Sequence, residues 1–331
     1  MKANIIKVAL LVLVLALGGF KFYQYKHPEA VQKVVETARQ QEAAQTTSSD
    51  GTSTSQVIYT NNTSKPQIKP DVPVNGTYKG VVEVGASGFN AFVVNMDANK
   101  NWELVYKEFG KSLAYEGFLT TDDVKHTLKD YISTIAEKGV AGRNIHFVVS
   151  SGALKNPKTE LIMQSIAKMG YVVNKVDATR EGQYALKALL PKEYKDNSFT
   201  VDIGSGNTKI SWYDTGGKLN SIECAGAKYY ENNKTDDAVY SEISAALAKV
   251  PSNLKQNCFI IGGVPFKLAS ESRNGEERYT YLKNPDEYSA GDDIKKKSGL
   301  NIYRAIYDKG SQNIIFDWDA NFTIGFLMNV N

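Results

Sequence analysis

One plan of secondary structure occurs twice along the chain, and this repeat is the feature that most constrains the fold. The first copy begins with the strand–turn–strand unit GVVEVGASGFNAFVVNMD, and the second begins with FTVDIGSGNTKISWYD. Each copy continues to a helix, for which we predict Thr121 and Thr235 as caps, and then to an apolar strand. Two aspartates follow each threonine, where the helix dipole favours negative charge. This shared order predicts two similar α/β lobes.

Composition divides the chain into four regions. We predict a membrane anchor or signal segment at 1–26 and a linker at 27–75, because much of the linker is rich in serine, threonine, asparagine and proline. A solvated loop wrapped on the domain is the alternative for the linker. The first lobe is predicted at 76–197 and the second at 198–331.

The N-terminal segment contains an uncharged apolar run from Val8 to Phe20. This run is shorter than the roughly 20 residues of a full span. Lys7 and Lys21 can extend their ammonium groups outward and lengthen it. We therefore predict a single-pass anchor in a bacterial-type inner membrane, and the alternative is a signal peptide cleaved near Ala16-Leu17-Gly18. Positive charge on both flanks leaves the side of the soluble part undetermined.

Charge and cysteine content exclude some classes of site. The chain of 331 residues carries a formal net charge of +3, and its basic residues are spread along the sequence. No concentrated basic stripe is present, so nucleic acid is not indicated as a partner. The two cysteines, Cys224 and Cys258, lack the spacing of metal ligands.

The turn after Asp202 has the chemistry of an anion site. Glycines at 204 and 206 permit positive φ and a close approach of the backbone to a ligand. Backbone N–H groups in such a turn can form a nest for an anion, and Ser205, Asn207 and Thr208 add side-chain donors. The Asp202 carboxylate could hold a divalent cation or orient a water molecule.

The first lobe repeats this pattern. Glu83 precedes the turn Gly85-Ala86-Ser87-Gly88, and Asn90 follows it. A single turn of this kind is often a tight hairpin without a ligand. Two such turns at matching places predict a cleft in which a phosphate chain is held from both sides.

These motifs carry a resemblance to a known family. The two glycine turns and the later segment IIGG resemble the phosphate and adenosine motifs of the actin, sugar kinase and heat-shock ATPase superfamily. The segment VVSSGALKNPKTELIMQSIAKMGYVVNKVDATREGQYAL is similar to a region of the exopolyphosphatase and guanosine-pentaphosphate phosphohydrolase (Ppx/GppA) family. The resemblance covers residues 78 to 331. It implies a two-lobed, actin-like (ribonuclease H-like) α/β fold behind the anchor and the linker.

The resemblance also implies roles for individual residues. Glu181 matches the catalytic glutamate that activates water, although without the family argument it reads as a first-turn acid that serves the helix dipole. Asp202 and Glu83 match the acids that bind Mg²⁺. The phosphate-binding set is Gly85, Ala86, Ser87, Gly88, Gly204, Ser205, Gly206, Asn207 and Thr208, with Lys155 and Lys209.

Four residues depart from the family pattern. Glu83 stands where an aspartate is usual, and Val264 ends the later motif in place of threonine. Lys155 replaces an arginine and loses its bidentate fork. Lys209 replaces a glutamate and reverses the charge beside the implied metal. The two lysines could bind a polyanion directly, or they could mark a cleft that binds phosphate without hydrolysing it.

The resulting expectation is a membrane-tethered hydrolase that cleaves a phosphoanhydride in polyphosphate or a nucleotide polyphosphate with Mg²⁺ as cofactor. A catalytically inactive phosphate- or nucleotide-binding scaffold or sensor is the main alternative. A nucleotide-driven assembly protein is a third. The expected partners are a phosphate-containing ligand, the membrane through residues 1–26, and a second copy in a homodimer.

Overall fold

The computed structural model describes residues 68–86, 88–110 and 120–330. The strands are β1 (Thr77–Val84), β2 (Phe89–Met96), β3 (Trp102–Phe109), β4 (Ile145–Val149), β5 (Val173–Lys175), β6 (Ser198–Ile203), β7 (Asn207–Tyr213), β8 (Leu219–Ala225), β9 (Asn257–Gly262), β10 (Tyr279–Tyr281) and β11 (Ile314–Asp317). The helices are α1 (Thr121–Glu137), α2 (Thr159–Lys168), α3 (Ala178–Leu189), α4 (Asp236–Leu247), α5 (Gly263–Ser270), α6 (Ile294–Lys309) and α7 (Phe322–Leu327).

In this part of the chain the strands form two sheets with a common plan. The five-stranded sheet has the order β3-β2-β1-β4-β5, and the six-stranded sheet has the order β10-β11-β9-β6-β7-β8. In each sheet an antiparallel meander of three strands is followed by a strand that lies parallel to the first. The predicted mixed α/β fold with a duplicated plan is confirmed.

Successive hydrophobic residues along one strand belong to different clusters of the hydrophobic core. In β9, Cys258 and Ile260 face α4 and α6, whereas Phe259 and Ile261 face α3 and α7. In β1, Val82 and Val84 pack with α1 and α2, whereas Val81 joins the same middle cluster as Phe259. Successive strand residues point to opposite faces, so both sheets are covered on both sides. The middle layer of α3 and α7 is therefore shared by the two sheets.

The cap of α4 is the residue predicted from the sequence, and the cap of α1 lies one residue before the predicted one. The Thr235 hydroxyl accepts a hydrogen bond from the backbone N–H of Ala238, as predicted. In the first copy the cap is Thr120 and not Thr121. The Thr120 hydroxyl accepts from the N–H of Asp123, and the Asp123 carboxylate accepts from the N–H of Thr120 at 2.8 Å. This reciprocal capping box is the physical reason for the shift.

Residues 68–75, the described end of the predicted linker, contact the domain. Ile68 is buried in the middle cluster, and the backbone N–H of Val74 donates to Asp97 at 3.1 Å. The predicted anchor at 1–26 lies outside the described residues. Among the described helices, none has the length and apolar character that a bilayer span requires.

Glycines permit the tight packing of the middle layer. A Cβ atom on Gly325 of α7 would overlap the backbone carbonyl of Tyr184 in α3. A Cβ on Gly182 would similarly overlap the Ser221 hydroxyl in β8. The two helices and the second sheet approach one another closely because these side chains are absent.

We expect Gly325→Ala to destabilise the protein by about 2 kcal/mol or more, because backbone atoms of α3 must move to accept a methyl group. Urea unfolding followed by circular dichroism measures the change. Gly142→Ala is the matched control, since a Cβ there meets nothing within 4 Å. Equal stability of the two variants would contradict this account of the packing.

Candidate functional site

Two hairpins with the same hydrogen-bond pattern lie at the carboxyl ends of β1 and β6. In the first, the N–H of Gly85 donates to the carbonyl of Gly88 at 2.9 Å, and in the second Gly204 donates to Asn207 at 2.9 Å. The positive φ predicted as an option for Gly204 and Gly206 is not used at either residue. Gly204 is instead required by close approach, because a Cβ there would lie 2.8 Å from the carbonyl oxygen of Asn207.

Both hairpins line one cavity of about 550 Å³. The strands that carry them belong to different sheets, and the carboxyl ends of parallel strands are where α/β folds place ligands. The predicted site residues that line this cavity are Glu83, Gly85, Ala86, Gly88, Glu181, Asp202, Gly204, Ser205, Gly206, Asn207 and Lys209.

Glu181 lies in the first turn of α3 and is directed into the cavity. Only 1% of the residue is exposed. Its Oε1 accepts a hydrogen bond from the backbone N–H of Ser151, and its Oε2 accepts from the Ser151 hydroxyl at 3.1 Å. The loop after β4 therefore fixes the carboxylate in one orientation.

Lys209 lies beside this carboxylate. Strand pairing sets it opposite Asp202 in the neighbouring strand. Its Nζ atom lies 2.6 Å from Glu181 Oε2 and 3.5 Å from Asp202 Oδ2, and 6% of its side chain is exposed. Burial disfavours the ammonium form, but the charges of Asp202 and Glu181 outweigh burial and raise the pKa of Lys209.

Glu83 is the third carboxylate of the cleft. Asn90 donates to its Oε2 at 3.0 Å, and Asn321 donates to the same atom at 3.2 Å. Burial raises the pKa of Glu83 to about 7; the Asn90 hydrogen bond opposes this rise, and the charges of Glu181 and Asp202 add to it. Glu83 thus titrates near neutral pH.

The residues present do not fit the Mg²⁺ that the family resemblance implies at Glu83 and Asp202. Within the described ranges, no group of three or more His, Cys, Asp or Glu side chains is arranged to hold a metal ion. The ammonium of Lys209 contacts Asp202, one of the two acids implied as ligands, and also contacts Glu181. The positive charge that balances these acids is supplied by the chain itself.

Thr208, Lys155 and Asn207 have contacts that differ from the predicted ones. Thr208 is fully buried and does not line the cavity, and its hydroxyl has no hydrogen-bond partner. Lys155 lines a neighbouring cavity of about 290 Å³, with its Nζ 3.9 Å from Glu223. The Asn207 amide donates to Ser151 at 3.1 Å and to Glu223 at 2.7 Å, so it holds the loops together. Ser87 lies outside the described residues.

Several residues of the cleft were not predicted from the sequence. Ser151, which orients Glu181, follows β4 in the same way that the hairpins follow β1 and β6, and this position was an available signal. No local pattern marks Asn321, which reaches Glu83 from the C-terminal region. One wall is aromatic, with Phe109, Phe266 and Trp318. Phe266 contacts Trp318 edge-to-face with ring centroids 5.2 Å apart.

A scan of protein-family models gives no match, and a search of curated proteins gives none. Solved structures do match. A Ppx/GppA family member from Aquifex aeolicus superimposes with a TM-score of 0.58 at 17% identity, and the match covers 77% of this chain and 99% of that chain. The chain has the Ppx/GppA fold.

Two further solved structures support the Ppx/GppA fold. An exopolyphosphatase from Cytophaga hutchinsonii gives a TM-score of 0.54 at 16% identity, over 77% of this chain and 99% of that chain. The type II variant of the Aquifex aeolicus Ppx/GppA phosphatase gives 0.55 at 15% identity, over 76% of this chain and 98% of that chain. At these identities the similarity shows the fold, and activity has to be argued from the cleft.

The titration of Glu83 predicts an unusual dependence of stability on pH. The folded protein keeps a proton on Glu83 up to about pH 7, whereas an unfolded chain releases it near the ordinary glutamate pKa of 4.5. This carboxyl group therefore lowers the free energy of unfolding as the pH rises through that window, by about 3 kcal/mol in all. We expect Glu83→Gln to become more stable relative to wild type by about 2 to 3 kcal/mol between about pH 5 and about pH 8. Urea titrations at both pH values measure this difference, and a difference that does not change with pH would contradict it.

Proposed function

We propose that the cleft binds the phosphate groups of a polyphosphate or nucleotide polyphosphate and hydrolyses one of its phosphoanhydride bonds. The proposal rests on the convergence of three segments that are far apart in sequence. The hairpins at 85–88 and 204–207 and the carboxylate of Glu181 line the same cavity. The family of the matching solved structures, which includes an exopolyphosphatase, supports the same class of substrate.

The chemistry follows from the chain's own residues. Backbone N–H groups of the two hairpins can donate to phosphate oxygens, which fixes the reacting phosphorus relative to an attacking water. A carboxylate has about four lone-pair positions, and hydrogen bonds from Ser151 and the ion pair to Lys209 account for three at Glu181. The remaining position can take the proton of the water. The ammonium of Lys209 can offset negative charge on the phosphate.

Replacing the proposed base tests the reaction. The purified full-length chain is incubated with tripolyphosphate, and released phosphate is measured. Glu181→Gln keeps the side-chain shape but cannot take a proton, and we expect it to slow release by about 100-fold or more.

Glu160→Gln is the matched control, because Glu160 also lies in the first turn of a helix but its side chain is exposed. We expect this variant to release phosphate at the wild-type rate. Equal rates for Glu181→Gln and wild type would contradict the role of Glu181.

One observation favours a second candidate, a phosphate-binding protein without hydrolysis. The Lys209 ammonium lies 2.6 Å from the carboxylate that would accept the proton, and it opposes that transfer. Tight binding of tripolyphosphate without phosphate release would support a sensor or scaffold. Measuring tripolyphosphate binding beside phosphate release therefore separates the two candidates.

We propose that residues 1–26 anchor the protein in a membrane and that its two lobes meet between 197 and 198. Protease treatment of intact cells, followed by mass determination of the remaining fragment, tests the anchor and the side on which the domain lies. A mature chain that begins after residue 18 would indicate a cleaved signal peptide instead.

A further inference from the structure

We propose that the ammonium group of Lys209 is a built-in cation that replaces a divalent metal ion in this cleft, so that the site binds phosphate without Mg²⁺. The phosphate part of this inference rests on the proposed function. The exclusion of a divalent ion rests on the position of Lys209 alone and can be measured separately.

The position of Lys209 is fixed by the fold. Its backbone is the third residue of β7 and lies opposite Asp202 of β6, two residues after the second hairpin. Its Nζ atom lies 3.7 Å from the place of a Cβ on Gly204, at the base of that hairpin. The ammonium therefore lies between the second hairpin and the carboxylates of Glu181 and Asp202.

The contacts of Lys209 come from two separate elements. Glu181 approaches from α3 at 2.6 Å, and Asp202 approaches along the sheet at 3.5 Å. Glu83, from the other sheet, contributes a further electrostatic attraction. A buried ammonium needs carboxylates close by to compensate for the loss of water. Carboxylate oxygens are also the ligands that Mg²⁺ prefers.

A divalent ion at this place would have to displace the ammonium or lie against it. The side chain of Lys209 is 6% exposed, so it has little route to withdraw into water. Like charges held within a few ångströms repel strongly in a buried site. Removal of the ammonium should therefore open the carboxylates of Glu181 and Asp202 to a divalent ion.

The same ammonium can take part in ligand binding. An ammonium has three N–H donors, and Glu181 and Asp202 account for two at Lys209. Lys209 also lines the cavity that contains both hairpins. Its third donor can reach a phosphate oxygen, which gives a charge-assisted hydrogen bond where other phosphate sites place a metal ion.

The first test measures metal binding by the full-length protein. Mn²⁺ is titrated into wild type and Lys209→Gln, and free Mn²⁺ is followed by electron paramagnetic resonance. We expect Lys209→Gln to bind Mn²⁺ at least about tenfold more tightly than wild type. Lys79→Gln is the matched control, since Lys79 is also buried in a sheet but donates to the carbonyl of Val330 at 2.7 Å, outside the cleft. Stoichiometric Mn²⁺ binding by wild type would overturn the proposal without any variant.

The second test measures tripolyphosphate binding by calorimetry, in EDTA and in Mg²⁺. We expect wild-type affinity to change by less than about twofold between the two conditions, and Lys209→Met to lose about 10-fold to 100-fold in EDTA. Binding that requires Mg²⁺ would overturn this inference and leave the proposed function standing. No binding under either condition would overturn the proposed function and the phosphate part of the inference, while the Mn²⁺ titration still decides the role of the ammonium.

Discussion

The buried contact of Lys209 with Glu181 and Asp202 is the interaction on which the cleft depends. It joins the start of α3 to the second sheet and fills the place between the acids with a positive charge. Removing one partner of such a buried pair costs about 3 to 5 kcal/mol, because the remaining charge is left without compensation. The cleft is thus held in shape by the same groups that would contact a ligand.

The middle layer gives this contact its rigidity. Helices α3 and α7 pack between the two sheets, and α3 carries Glu181 at its first turn. Asp177 caps α3 by accepting from the N–H of Arg180 at 2.8 Å, so the start of the helix is fixed. The Ser151 loop and the hairpins approach from the strand ends. Elements that are far apart in sequence therefore meet where a ligand would bind.

Much of the fold could be predicted from the sequence, since it depends on local patterns. The central strands appear as continuous apolar runs, the Thr235 cap is followed by two aspartates, and the two glycine turns mark matching hairpins. The start of α1 was misplaced by one residue, because a reciprocal hydrogen bond between Thr120 and Asp123 decides it and Thr121 offers the same side chain. Sequence patterns of this kind locate helices and strands more reliably than they locate the terminal residues of those elements.

The site was predictable only in part. Residues adjacent to glycine turns were found because turn and strand end are contiguous in sequence. Asn321 was missed because tertiary packing alone brings it to Glu83, whereas the position of Ser151 after β4 was a signal that was not used. Thr208 was grouped with the hairpin by sequence proximity, yet strand alternation buries its side chain away from the cavity. The charge reversal at Lys209 was visible in the sequence, but the contact of Lys209 with Glu181 is evident only in the folded structure.

The most direct measurement of the central claim follows backbone amides of both hairpins during a single titration. The full-length protein is labelled with ¹⁵N-glycine, and amide shifts are recorded as tripolyphosphate is added. If the hairpins hold one ligand between them, the amides of Gly85 and Gly204 shift together and give the same dissociation constant. Shifts confined to one hairpin, or absent from both, would contradict a shared phosphate cleft.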